Sequence, residues 1–222
     1  MKVVKELLAS RYEILAVYSL NETATELSSL SKVEPIIVTE IQLQKISNLE
    51  TPNKVLAVAS IPQKGYVFSE VQHKLSLALD TINDPGNLGT IIRTAAWFGI
   101  ETIICSVNTV DAWNSKAVQA SMGALFRTTI VYADLKRVVE DFNNEKIPVY
   151  ATTLDGENIY TSPLSQNGLI IIGSESHGVS QDLLSIVDRK LLIPSFSSGV
   201  AESLNAAVAT AIVCSEFKRR AQ

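Results

Sequence analysis

Five side chains in this sequence stand where chemistry could be done with them: Asn87 and Arg93, Glu175, and Ser203 and Asn205. Asn87 and Arg93 belong to the run Asn83-Asp84-Pro85-Gly86-Asn87-Leu88-Gly89 and the residues after it. Glu175 sits in Gly173-Ser174-Glu175-Ser176-His177-Gly178, and Ser203 and Asn205 in Glu202-Ser203-Leu204-Asn205. Each run follows an apolar, strand-like stretch, respectively Leu75 to Leu79, Leu169 to Ile172 and Leu191 to Ile193. Loops beyond strand ends are where open α/β sheets hold their ligands, so the three runs point to one composite site.

The residue types narrow the chemistry. Leu88, Ile91, Ile92, Ala95, Ala96 and Gly99 follow helical spacing and form one apolar stripe, and Arg93 lies off it on the face of Gly89 and Trp97. Asn87 suits an N-cap, and Gly86 and Gly89 permit close backbone approach, a combination that fits a phosphate or carboxylate site. A capped helix with a solvated arginine explains the same residues. Glu175 is a carboxylate held between Gly173 and Gly178, although a solvated loop glutamate fits as well. His73 and His177 have no partner visible in the sequence, which points to structural or surface roles. The run lacks the third glycine and downstream acid of a dinucleotide fingerprint, and the lysine and Ser/Thr of a P-loop. A nucleotide-dependent oxidoreductase is disfavoured accordingly.

The elements that must position these groups alternate along the chain. Helix-like Val3 to Leu8, strand-like Ile14 to Tyr18, helix-like Glu22 to Leu30, strand-like Ile36 to Val38, helix-like Glu40 to Ile46 and strand-like Val55 to Ser60 make a small α/β unit, with Thr39 and Gln42 as a capping box. Ile61-Pro62-Gln63-Lys64-Gly65 reads as a linker. Beyond it, strands at Leu75, Thr102, Thr129, Val149, Leu169 and Leu191 alternate with helices predicted over Leu88 to Phe98, Ser115 to Leu125, Leu135 to Asn143, Gln181 to Ile186 and Ser203 to Arg220. Near-continuous apolar strands between helices imply a mostly parallel sheet covered by helices on both faces. The expected domains are 1–62 and 74–222, joined by 63–73. The last helix is apolar all round from Leu204 to Val213, with Ser203 as its cap and Asn205 inside its first turn. Its apolar circumference exceeds what one sheet face covers, which predicts packing against a second subunit.

Bulk properties set outer limits. With 222 residues and 46% hydrophobic content, the chain can bury a sizeable core. A net charge of -4 argues against a salt-driven nucleic-acid coat but leaves room for a local basic patch from Arg93, Lys116, Arg127 and Lys218-Arg219-Arg220. Cys105 and Cys214 are far apart with no metal-type spacing, which suggests a reduced, cytoplasmic protein without a metal site. The start of the chain has charges where a signal peptide needs an apolar core, and no apolar run is long enough to span a membrane.

Taken together, the motifs resemble the SpoU/TrmH family of RNA 2'-O-ribose methyltransferases, within the SPOUT superfamily. The likeness rests on Asp84-Pro85-Gly86-Asn87-Leu88-Gly89-Thr90-Ile91-Ile92-Arg93-Thr94-Ala95, on Lys116 to Arg127, on Ile172 to Gly178, and on Ile193-Pro194 with Ser203-Leu204-Asn205-Ala206-Ala207-Val208-Ala209. The first unit is similar in layout to the L30e-like RNA-binding module that often precedes this catalytic domain, starting at a helix where a strand is usual. The resemblance implies methyl transfer from S-adenosylmethionine to a ribose 2'-hydroxyl of rRNA or tRNA, a trefoil knot in the C-terminal segment, and a homodimer with no membrane partner. An RNA-binding or ribosome-assembly protein of the same fold without catalysis is the alternative. By resemblance, Asn87, Arg93, Glu175, Ser203 and Asn205 match catalytic positions, and Thr152, Gly173, Ile193 and Leu204 match positions that bind the cofactor. Ser174 stands where the family commonly has asparagine, and the segment 195–202 is a little longer than the family pattern.

Overall fold

The computed structural model describes residues 1–30, 33–196 and 203–220. In the first unit α1 (Lys2–Leu8), β1 (Ile14–Ser19), α2 (Asn21–Ser28), β2 (Ile36–Ile37), α3 (Glu40–Ile46) and β3 (Val55–Ala59) follow one another, and the strands form a sheet of order β2-β1-β3. β1 runs parallel to β2 and antiparallel to β3. The Thr39–Gln42 capping box is present in full at the start of α3.

The second unit contains β4 (Leu75–Asp80), α4 (Pro85–Trp97), β5 (Thr102–Ser106), α5 (Ser115–Ala120), β6 (Thr129–Ala133), α6 (Leu135–Asn144), β7 (Val149–Asn158), β8 (Gly168–Gly173), α7 (Gln181–Leu184), β9 (Arg189–Leu192) and α8 (Ala206–Arg219). Its strands form one sheet of order β6-β5-β4-β8-β7-β9, and every pairing in it is parallel. Side chains alternate across a strand, so Leu75, Leu77 and Leu79 face one side and Ala78 the other. The first side packs on Leu88, Ile91, Ile92 and Ala95 of α4 and on Ala207, Val213 and Phe217 of α8. The second packs on Leu135, Val138, Val139 and Phe142 of α6, which recur at helical spacing, and on Leu183 of α7. The parallel sheet with helices on both faces is therefore as the apolar strands foretold. Cys105 and Cys214 are buried on the α4–α8 side, and burial pushes each thiol up to about 12.

The two units touch directly. Leu7 of α1 is part of the α4–α8 core, Tyr12 meets Phe126 edge-on at 5.4 Å between ring centroids, and Arg127 pairs with Glu6. This contact breaks a predicted element. The helix expected from Ser115 to Leu125 stops at Ala120, because Met122 and Gly123 take φ of 53° and 93° and a short 3-10 turn, Ala124–Arg127, follows. Glu6 lies over Gly123 so closely that a Cβ there would come within 2.7 Å of it. The segment expected to be linker is also packed: Tyr66, Phe68 and Val71 join the α6 side of the core.

At the end of α8, Arg220 donates to Glu216 at 2.8 Å and to the carbonyls of Ile159, at 3.0 Å, Tyr160 and Ser162. One guanidinium thus ties the last helix to the stretch following β7. Arg220→Ala removes these charge-assisted bonds, for about 2 kcal/mol and a melting temperature lower by roughly 4–8 °C in a thermal scan. Hydrogen bonding from Arg219, with Arg220 assisting, holds the Glu216 carboxyl below its ordinary 4.5. A lowered carboxyl stabilises the fold above its unfolded value and ceases to do so as pH falls through its folded one. Melting temperatures of wild type and Glu216→Gln should therefore converge as pH is lowered below about 4.

Candidate active site

The sheet order places a topological switch between β4 and β8: from β4 the chain builds outward through β5 and β6, and then returns to the other side. Asp80 and Gly173 are register partners at the C-terminal ends of these strands. The crevice outside such a switch is the usual ligand position in open α/β sheets. The loop leading to α4 and the loop 174–180 flank it.

Asp84, not Asn87, caps α4. Its carboxylate accepts from the Asn87 N–H at 2.7 Å, and Pro85 follows at the first helical position, where its missing donor costs nothing. Asn87 sits a turn into the helix start with its side-chain amide free for other partners. Gly89 also serves a different end from the one expected, since a Cβ there would lie 2.4 Å from the Ala117 carbonyl and 2.6 Å from Ala120 Cβ. It lets α4 and α5 approach closely and is buried between them rather than open to a ligand. Arg93, one turn further along, is solvent-exposed, and no group among the described residues engages its guanidinium.

The second loop is a tight hairpin. Ser174 and Gly178 exchange backbone hydrogen bonds of 3.2 and 2.9 Å, and Gly178 has φ of 67°. Ser174 Oγ accepts from the His177 N–H at 3.2 Å, so the residue that departs from the family's asparagine closes the turn from inside. Gly173 has no alternative, because a Cβ there would fall 2.0 Å from the Gly178 carbonyl carbon. The result presents Glu175 outward. The His177 side chain is exposed, and its ring shares a hydrogen bond with Ser176 at 2.8 Å.

Asn205 is the N-cap of α8, one position before the helix in which it was expected, and Ser203 lies outside the helix, exposed. The Asn205 Oδ1 accepts from the N–H groups of Ala207 and Val208 at 2.9 and 3.3 Å. That choice fixes everything upstream. With its oxygen turned to the helix, Asn205 must present its NH2, which donates to Asn87 Oδ1 at 2.9 Å; Asn87 must then present its own NH2, which donates to Glu175 Oε1. Orphan amides at the start of α8 thus orient three side chains from three distant segments.

Of the residues matched to the cofactor, Thr152 donates to the Ile171 carbonyl at 3.2 Å on the β8 side of β7 and pairs in register with Leu191 of β9. Ile193 is half-buried just past β9, and Leu204 is exposed before α8. Gly173 ends β8, Thr152 comes just after the last β7 residue paired with β8, Ile193 follows β9, and Leu204 precedes α8. Next to Thr152, the Thr153 hydroxyl is buried and has no hydrogen-bond partner among the described residues. The segment 197–202, part of the stretch read as longer than the family pattern, lies outside the described residues. Two cavities, of about 280 and 430 Å³, lie elsewhere, one under the N-terminal ends of β4 and β5 and one between α1, α3 and α5. Among the described residues there is no cluster of metal-ligating side chains and no helix long and apolar enough to cross a membrane.

The SpoU rRNA Methylase family model matches residues 74–215. The chain is 31% identical to the 23S rRNA (guanosine(2553)-2'-O)-methyltransferase RlmP of Bacillus subtilis, over 95% of this chain and 83% of that one. Among solved structures it resembles a TrmH-family protein of Porphyromonas gingivalis at 35% identity and a TM-score of 0.90, covering 99% of this chain and 87% of the other. It also resembles the AdoMet-bound rRNA methyltransferase of Sinorhizobium meliloti at 28% identity and a TM-score of 0.83, covering 100% of this chain and 86% of that one.

Proposed function

The chain belongs to the SpoU rRNA methylase family, and from that premise we infer that it transfers a methyl group from S-adenosylmethionine to a ribose 2'-hydroxyl of rRNA or tRNA. The observation that carries this reading is the hydrogen-bonded chain Asn205–Asn87–Glu175, which joins three family motifs across the switch between β4 and β8. S-adenosylmethionine supplies an electrophilic methyl on a sulfonium. The protein's part is to hold that group, seat the ribose in line with it, and accommodate the charge that develops as the hydroxyl loses its proton.

The residues present fit the cofactor. Ile193 and Leu204 offer apolar surface to a purine, Gly173 stands half-buried at the end of β8, and the orphaned Thr153 hydroxyl marks polar capacity beside Thr152. In this reading Arg93 holds the phosphate next to the target ribose and stabilises the developing oxyanion. A guanidinium stays protonated, so it clamps and polarises rather than accepting a proton. Asn87 and Asn205 orient ribose and cofactor, while Glu175 and Ser203 fix neighbouring polar groups. The first unit selects the RNA, and the C-terminal segment follows the family's threaded path, supported by the insertion of β8 between β4 and β7 and by α8 packing beside α4. A second copy packs against α8, where Val208 is 49% exposed beside a Leu204 that is 45% exposed. Buried, unpaired thiols favour the cytoplasm.

Mapping 2'-O-methyl groups in RNA from cells with and without this gene tests the reaction. A site that vanishes with the gene is expected. If none vanishes and calorimetry detects no S-adenosylmethionine binding, the non-catalytic RNA-binding alternative stands instead. Light scattering at micromolar concentration should report a dimer.

A further inference from the structure

We propose that Asp80 is a positioning residue for the methyl-transfer site: its buried carboxylate ties the loop that leads to Asn87 to the loop that carries Glu175. This deepens the reading above and rests on it. Asp80 ends β4, is 7% exposed, and has no cationic partner among the described residues. A buried carboxylate is costly unless its oxygens are bonded, and both are. Oδ2 accepts the Ser180 N–H at 2.8 Å, at the far end of the hairpin that presents Glu175. Oδ1 accepts the Thr81 hydroxyl at 3.1 Å, at the start of the segment running to Asp84 and Asn87.

The second connection is under strain that something must hold. Thr81 has φ of 59°, a region where a β-branched residue is an outlier costing on the order of 1–3 kcal/mol. A polar lattice keeps it there. Thr81 N–H donates to Ser106 Oγ at 2.9 Å, Ser106 and Thr109 share a hydrogen bond of 3.0 Å, and Thr109 Oγ1 donates to the Leu79 carbonyl at 3.1 Å and accepts the Ile82 N–H at 3.3 Å. The chain leaves β4 in a direction set by these groups, and three residues later Asp84 starts α4. Asp80 couples that direction to the position of Ser180, so the Asn87–Glu175 contact above the crevice is built on a carboxylate beneath it.

Three variants separate the possibilities. Asp80→Ala deletes both acceptors. Asp80→Asn keeps an acceptor for Ser180 and can donate to the Thr81 hydroxyl, preserving the tie without the charge. Ser180→Pro removes only the N–H that Asp80 receives, at a φ of -60° that proline itself prefers. Positioning predicts kcat lower by roughly 10- to 100-fold in Asp80→Ala and Ser180→Pro with KM for S-adenosylmethionine little changed, near-wild-type kcat in Asp80→Asn, and no further loss in the Ala/Pro double variant. Equal inactivity of Asp80→Asn and Asp80→Ala, or kcat per folded molecule unchanged in Asp80→Ala, overturns it. Amide hydrogen exchange in 81–88 and 174–180 reads the tie without turnover. Protection should fall in both stretches in Asp80→Ala and persist in Asp80→Asn, and unchanged protection rejects the tie even if the wild type proves inactive on RNA.

Discussion

Replacing Arg93 with alanine is expected to lower methyl transfer by on the order of 10²- to 10³-fold while leaving S-adenosylmethionine binding nearly intact. The split follows from where Arg93 sits. It is exposed on α4 and engages no other group among the described residues, so its loss neither opens the core nor frees a buried partner there. None of the residues matched to the cofactor is on α4: Thr152 is in β7, Gly173 ends β8, Ile193 follows β9 and Leu204 precedes α8. Single-turnover transfer and calorimetry on the same preparation check both halves. Arg93→Lys should recover little, since a single ammonium cannot reproduce the planar two-pronged grip of guanidinium on phosphate. Substantial turnover in Arg93→Ala would leave Arg93 a solvated helix residue.

Replacing Gly173 with alanine should act at the opposite point, on cofactor binding. A single methyl there meets backbone from two residues, the Gly178 carbonyl carbon at 2.0 Å and its oxygen and Val179 N at 2.2 Å. Neither can swing aside as a side chain could. Either the hairpin lifts off β8 or the end of β8 separates from Asp80. Overpacking of this kind costs about 1–3 kcal/mol, and displacing the loop by an ångström is expected to weaken S-adenosylmethionine binding by on the order of 100-fold. Calorimetry with a parallel thermal melt distinguishes this from simple unfolding. A variant that binds like wild type would show that the hairpin is free to move.

These two residues differ in how visible they were beforehand. Arg93 was legible from helical spacing alone, because an arginine off an apolar stripe must face outward, and α4 keeps that stripe from Leu88 to Ala95. Gly173 was legible only as part of a motif; the reason it must be glycine is Gly178 folding back on it. The strands and helices of both units were largely readable, since strands buried on both faces and a helix such as α6 impose their own periods. What escaped reading was decided by contacts between segments. The helix expected through Leu125 yields at Gly123 to Glu6 of the first unit, more than a hundred positions away in sequence. Gly89 looked open to a ligand and is filled by α5. Asp84-Pro85 carried the proper signature of a helix start, yet the polar Asn87 drew the assignment; the structure uses Asp84 as cap and so leaves Asn87 to bridge Glu175 and Asn205. Asp80 went unnoticed because it reads as the last residue of an apolar strand, and only pairing with β8 brings it under Ser180.

The depth at which Cys105 and Cys214 lie has a practical side. Burial pushes both thiols well above their ordinary range, so little thiolate forms at neutral pH, and neither sulfur faces solvent. A cysteine introduced at an exposed position would then be the sole group to react with a maleimide dye. The native protein thus provides a silent background for fluorescence or spin probes that follow RNA docking without first removing its own sulfhydryls.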